Sequence, residues 1–294
     1  MKQTARSGCK LNWFLKVTGK RPDGYHTIAT LFQHLKSPSD EIELDFDAAP
    51  GIRVCCDASG LPQDLDNLAG KAALAYAEES GIEPAWHIAI AKGIPAAAGL
   101  GGGSADAGTV LRLLEEHYHA LGREKLRLLA AKIGADVPFF LEPGLVLARG
   151  IGEELSALPM PEKLPELLIV NPGFPVSAKW AYCNLEPQRI SPADEEAIRT
   201  LIRALQTHDV RSAAEQMHND LEYALYEKFP LLEVIRKELY QLQAERVLVS
   251  GSGSSLYAVF SGSRERKNAA ETIRKLFADD PGFRIFELGE DCIE

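Results

Sequence analysis

The run Pro95-Ala96-Ala97-Ala98-Gly99-Leu100-Gly101-Gly102-Gly103-Ser104-Ala105 decides how this chain is read. Upstream, Trp86, Ile88 and Ile90 alternate with smaller or polar residues, which predicts a strand running into the glycines. Downstream, Val110, Leu111, Leu114, Tyr118 and Leu121 recur at helical spacing. Glycines let a backbone take positive φ and approach a ligand closely. The following helix start offers unpaired N–H groups and the positive end of a dipole. Strand, glycine loop and helix together predict an anion site suited to nucleotide phosphates. A Walker loop is excluded, because no lysine follows the glycines. The dinucleotide pattern G-x-G-x-x-G fails at its last position, where Ser104 stands. A flexible connector would sit between polar segments, not between an alternating strand and an amphipathic helix.

Upstream of this loop, Leu11, Trp13, Leu15 and Val17 alternate, so Lys10 and Asn12 share one strand face. The turn Arg21-Pro22-Asp23-Gly24 follows, then Tyr25 and His26. Ile42, Leu44 and Phe46 predict a strand with one wet face, and residues 67–79 an alanine-rich helix. Beyond the loop a helix is expected over 123–133, with Gly134 as its C′ residue and Asp136 in a turn closed by Pro138. The proline-rich stretch 158–165 is the expected domain boundary. After it, strands near 167–170, 247–250, 256–260 and 283–288 alternate with helices at 193–206, 210–226, 231–242 and 264–277. This is a β-α-β-β-α-β order with additional helices in the first crossover, the ferredoxin-like pattern.

Composition bounds the partners. A chain of 294 residues makes one large domain or two ordinary ones. Its 46% hydrophobic and 25% charged residues are ordinary for a globular protein, so disorder is excluded. A net charge of −10 repels a phosphate backbone, and no nucleic-acid partner is expected, although a local donor cluster can still hold a small nucleotide. No apolar stretch approaches the ~18 residues of a membrane span, and residues 1–10 lack a secretory apolar region. Five cysteines without a C-x-x-C pair exclude a disulfide framework and a zinc site, and suit a cytoplasmic protein.

The segment Pro95-x-x-x-Gly99-Leu100-Gly101-Gly102-Gly103-Ser104 resembles the phosphate loop of the GHMP kinases, which phosphorylate galactose, homoserine, mevalonate and related metabolites. Three further segments narrow the likeness. They are Lys10-Leu11-Asn12 continuing to Pro22-Asp23-Gly24-Tyr25-His26, then Gly134-Ala135-Asp136-Val137-Pro138-Phe139, and Ser250-Gly251-Ser252-Gly253. In that order they resemble the branch whose substrate is 4-diphosphocytidyl-2-C-methyl-D-erythritol. The resemblance implies an α+β, two-domain GHMP kinase fold. A ribosomal-S5-domain-2-like nucleotide-binding domain would span 1–158 and a ferredoxin-like domain 159–294. It also implies ATP-dependent phosphorylation of the substrate's 2-hydroxyl, with Mg2+, in the cytoplasm.

Residue by residue, the resemblance makes Asp136 the catalytic aspartate, able to orient a hydroxyl and accept its proton. It makes Lys10 the second catalytic residue, a cation that keeps the carboxylate ionised and stabilises charge during transfer. Asn12, Tyr25, His26 and Tyr182 are implied to bind substrate, the tyrosine rings by stacking on cytosine and the imidazole by bonding its edge. For ATP, Pro95 through Ala105 supply the phosphate loop, while Asn67 and Lys92 match positions near the adenine. No carboxylate cluster marks a metal site, so Mg2+ is expected to rest on ATP phosphates and water. The chain departs from the family at Ala105, where serine is common, at Ala97, where glycine is common, and at Cys9, where alanine is usual. Two alternatives stand beside this reading. One is another GHMP kinase acting on mevalonate, homoserine or a sugar, and the other is a nucleotide-binding module without catalysis.

Overall fold

The computed structural model describes residues 1–142, 144–289 and 292. In chain order the strands and helices are β1 (Lys2–Lys20), β2 (His26–Asp45), β3 (Gly51–Cys56), α1 (Leu68–Ser80), β4 (Ala85–Ala91), α2 (Gly102–Tyr118), α3 (Arg123–Ile133), β5 (Leu145–Arg149), β6 (Glu154–Leu158), β7 (Glu166–Asn171), α4 (Ala178–Cys183), α5 (Glu195–Gln206), α6 (Val210–Gln216), β8 (His218–Asn219), α7 (Glu222–Lys228), α8 (Pro230–Gln241), β9 (Arg246–Val249), β10 (Leu256–Phe260), α9 (Ser263–Leu276) and β11 (Arg284–Leu288).

The chain folds as two units that interleave along the sequence. The first holds Met1–Cys9, Pro38–Ala96 and Gly101–Pro143, and the second Lys10–Ser37, Ala97–Leu100 and Gly144–Glu294. The long strands β1 and β2 each contribute to both units. A boundary at 158/159 is the natural reading of a proline-rich punctuation mark. Residues 158–165 instead lie inside the second unit, because β6 pairs along its whole length with β5.

In the first unit β4 lies between β2 and β3. It runs antiparallel to β2, from Glu41↔Ala91 to Asp45↔His87, and parallel to β3, from Gly51↔Ala85 to Cys56↔Ile90. A parallel pair needs a crossover, and α1 supplies it. The alternating residues Trp86, Ile88 and Ile90 point to one face and bury there against Tyr76, Val110, Leu111, Leu114 and Leu129 of the helices. Gly134 ends α3 in extended backbone (φ −177°). Pro138 then opens a helical turn over Pro138–Leu141, its lost N–H being one that a helix start leaves unpaired anyway.

In the second unit β1 and β2 are neighbours joined by the Arg21–Tyr25 turn. Here β5 pairs with β2 from Thr30↔Ala148 to Gln33↔Leu145, and β8 pairs parallel to β1. A separate antiparallel sheet has the order β11-β7-β10-β9. With α8 before β9 and α9 before β11, this is the expected β-α-β-β-α-β arrangement. The unit has its own core, including Leu15, Val17, Leu168, Val170, Leu225, Ile235, Val249 and Phe260. One expected helix, 210–226, is in fact broken. Met217 turns extended and His218-Asn219 become a short strand, because their backbone bonds to β1 replace helical ones.

Candidate active site

In the first unit Gly101 caps α2 in the left-handed conformation (φ 75°). The helical ladder begins with Ala105 N to Gly101 O, so the N–H groups of Gly102, Gly103 and Ser104 lie ahead of it. These are donors of the kind a phosphate needs. Pro95 and Ala96 lead out of β4, and Ala105 packs its methyl group fully inside the unit.

Lys92 is not a surface lysine. Its ammonium sits between the carboxylates of Asp40 and Asp106, 2.8 Å from Asp106 Oδ2, and all three side chains are at most 8% exposed. Asp40 Oδ1 also accepts the N–H groups of Gly93 (2.7 Å) and Ile94 (2.8 Å). The cluster therefore ties β2, the exit of β4 and the first turns of α2 together. A Cβ on Gly102 would lie 3.4 Å from the Lys92 Nζ. Burial pulls the Lys92 ammonium down, but the two carboxylates outweigh it and hold it above the ordinary range. Burial pushes the Asp106 carboxyl up to about 7 against the pull of Lys92. Its Oδ1 is buried without a hydrogen-bond partner.

Asn67, expected near the adenine, caps α1. Its Oδ1 accepts Ala69 N (3.0 Å) and its Nδ2 donates to Pro62 O (3.1 Å). Asp136 is half-buried in the turn after α3, where Val137 N bonds Gly134 O (3.1 Å).

In the second unit Ala97 to Leu100 are held by backbone and side-chain bonds from three directions. Val176 N bonds Ala97 O (3.0 Å), Ser255 N bonds Ala98 O (3.0 Å), and Lys10 N bonds Leu100 O (2.9 Å). Ser250 Oγ donates to Gly99 O (2.9 Å). Gly99 has φ 77°, and a Cβ there would lie 1.9 Å from Ser250 O, so no other residue fits this approach. Ala97 has φ 48°, a left-handed conformation that suits glycine better than alanine.

Lys10 is buried. Its Nζ donates to Asn12 Oδ1 (2.6 Å), as the shared strand face requires, and lies 5.0 Å from the Phe32 ring centroid. Asn12 Nδ2 in turn donates to Thr30 Oγ1 (2.8 Å), and Tyr257 OH donates to Asn12 O (2.7 Å). Tyr25, at the end of the β1–β2 turn, is 60% exposed. The ring of His26 stacks on that of Tyr182, centroids 5.5 Å apart and planes 21° from parallel. Burial, aided by the Lys20 charge, lowers the His26 pKa, so the imidazole is neutral at pH 7 and offers one donor and one acceptor.

Asp40 and Asp106 are parts of these arrangements that sequence reading passes over. Only Asp106 left a signal: a carboxylate among small residues early in a helix. That pattern reads equally well as a charge answering the helix dipole.

Comparison with known proteins gives a consistent result. Residues 67–144 match the family model "GHMP kinases N terminal domain" and residues 201–279 match "GHMP kinases C terminal". The chain is 39% identical to a 4-diphosphocytidyl-2-C-methyl-D-erythritol kinase of Nitratidesulfovibrio vulgaris, over 97% of both chains. It is 41% identical to the enzyme of that name from Syntrophotalea carbinolica, over 95% of both. A solved structure of a 4-(cytidine 5'-diphospho)-2C-methyl-D-erythritol kinase superposes with a TM-score of 0.79 at 32% identity, covering 97% of this chain and 98% of that one. A homoserine kinase from Cytophaga hutchinsonii, at TM-score 0.74 and 20% identity over 98% and 96% of the two chains, shares the fold.

Proposed function

The chain belongs to the 4-diphosphocytidyl-2-C-methyl-D-erythritol kinases, a branch of the GHMP kinases, and from that premise we propose how its residues divide the work. The reaction is transfer of the ATP γ-phosphoryl group to the 2-hydroxyl of 4-diphosphocytidyl-2-C-methyl-D-erythritol, a step of the methylerythritol phosphate route to isoprenoid precursors. Asp136 orients the hydroxyl and accepts its proton, and the Lys10 ammonium stabilises charge on the transferring group. The amides at the start of α2 and the residues from Pro95 to Ala105 bind the triphosphate, with Lys92 and Asn67 on the nucleotide side. Asn12 keeps Lys10 in place and contacts substrate, while Tyr25, His26 and Tyr182 take the cytidine.

The observation that carries the substrate reading is the His26–Tyr182 stack. Two flat rings beside an exposed tyrosine suit a nucleobase, and mevalonate and homoserine have no base to place there. Magnesium fits this chain as a passenger on ATP. Among the described residues no group of three or more His, Cys, Asp or Glu side chains could hold it, and Asp40 and Asp106 already face Lys92. Carried in on the ATP phosphates, it would neutralise their charge. Among the described residues no helix is long and apolar enough to cross a membrane. The cysteines are free, which suits the cytoplasm.

A coupled ADP assay tests the proposal. The cytidine substrate should turn over and mevalonate and homoserine should not; the reverse result would sink the substrate reading. Asp136→Ala should still bind ATP and lose most turnover.

A further inference from the structure

We propose that Asn219 is a positioning residue for Lys10, acting through the backbone of Gly251; the proposal rests on the role given to Lys10 above. Asn219 lies in β8, the strand that interrupts an otherwise helical stretch. β8 is locked to the strand that carries Lys10, with Phe14 opposite His218 and Leu15 opposite Asn219. Asp220 reinforces the lock. Its N–H donates to Leu15 O (3.0 Å), its Oδ2 accepts Val17 N (2.8 Å), and Lys16 Nζ lies 3.1 Å from it.

From this anchored strand Asn219 reaches to the glycine turn. Its Nδ2 donates to Val249 O and to Gly251 O, both at 2.8 Å, and its Oδ1 accepts Leu221 N at 3.0 Å. A carboxamide is the group that fits, since both N–H donors and the carbonyl oxygen are used by a residue 4% exposed. Glu222 takes Val249 N (2.7 Å) beside it, and Ser250 Oγ fixes the far side of the turn to Gly99 O.

The turn so held stands against the Lys10 ammonium. A Cβ on Gly251 (φ 54°) would lie 3.1 Å from Lys10 Nζ, 3.2 Å from Asn12 Oδ1 and 3.3 Å from Gly99 O. Gly251 is thus a wall beside the ammonium, and Asn219 sets where that wall stands. Removing the carboxamide leaves two buried carbonyls unpaired, the turn relaxes, and Lys10 loses its fixed place. A displacement of about 1 Å near reacting groups costs on the order of a hundredfold in rate.

A double-mutant cycle on the full-length protein tests this, with kcat and both KM values measured for the parent, Asn219→Ala, Lys10→Met and the double variant. Asn219→Ala should lower kcat by about ten- to a hundredfold and change each KM by less than about threefold. In the Lys10→Met background the same substitution should change the residual rate by less than about twofold. An equal loss in both backgrounds would mean a merely structural role and would overturn the proposal. Full activity in Lys10→Met alone would instead remove the premise about Lys10, a separately visible failure. Should Asn219→Ala not fold, Gly251→Ala replaces it in the cycle. Its loss should likewise disappear without Lys10, and persistence of that loss refutes the idea.

Discussion

His26 and Tyr182 lie face to face, with ring planes 21° from parallel, one at the start of β2 and the other in the short helix α4. Stacking of a base on an aromatic ring is worth about 1–3 kcal/mol. Tyr182→Ala and His26→Ala should therefore each raise KM for the cytidine substrate by roughly ten- to a hundredfold, with KM for ATP unchanged. Initial-rate kinetics with each substrate varied separately checks this; an equal rise in both KM values would count against a cytidine site.

Asp106 makes stability depend on pH. In the unfolded chain an aspartate loses its proton near pH 4, whereas in the fold burial holds the Asp106 proton up to about pH 7. Between these values the folded protein binds more protons, so the Asp106 contribution is fully present below about pH 4 and is lost as pH rises through about 7. Asp106→Asn removes that dependence. Relative to the parent, the variant should gain roughly 2–4 kcal/mol on going from pH 4.5 to 7.5. Urea denaturation of both proteins at the two pH values measures it, and parallel profiles would refute the assignment.

Ala97 sits at φ 48°, where an L side chain is crowded. Ala97→Gly relieves this, and the relief outweighs the extra freedom glycine has in the unfolded chain. The variant should be more stable by about 0.5–1 kcal/mol, read as a rise in Tm. No change, or a fall, would show that the site accepts alanine without strain.

Gly99 is the opposite case. A methyl group there would lie 1.9 Å from Ser250 O and must push the loop from the turn at Ser250–Gly253. Gly99→Ala should cost about 3 kcal/mol or more and abolish most turnover. A variant with parent-like Tm and activity would show that loop and turn are not held together as described.

Much of the architecture was legible because it is written in local patterns. Alternation at Trp86, Ile88 and Ile90 placed β4, and helical spacing placed α2. The ferredoxin-like order was readable from the succession of elements. The reading failed where a distant strand outcompeted local preference. Residues 210–226 have a helical pattern, yet His218 and Asn219 leave it to pair with β1. The prolines at 159, 161 and 165 punctuate the chain without dividing its units, since a unit is defined by which strands pair.

By itself the sequence determined chemistry carried by residue type and spacing: a glycine loop between strand and helix, Lys10 and Asn12 on one face, and the motifs that mark the family. Only the tertiary structure decided which distant groups meet. It sets His26 against Tyr182, Lys92 between two carboxylates, and Asn219 beneath the turn that walls in Lys10. Such contacts have no period along the chain. They exist because buried polar groups must find partners, and the partner is whatever the packed core brings within about 3 Å.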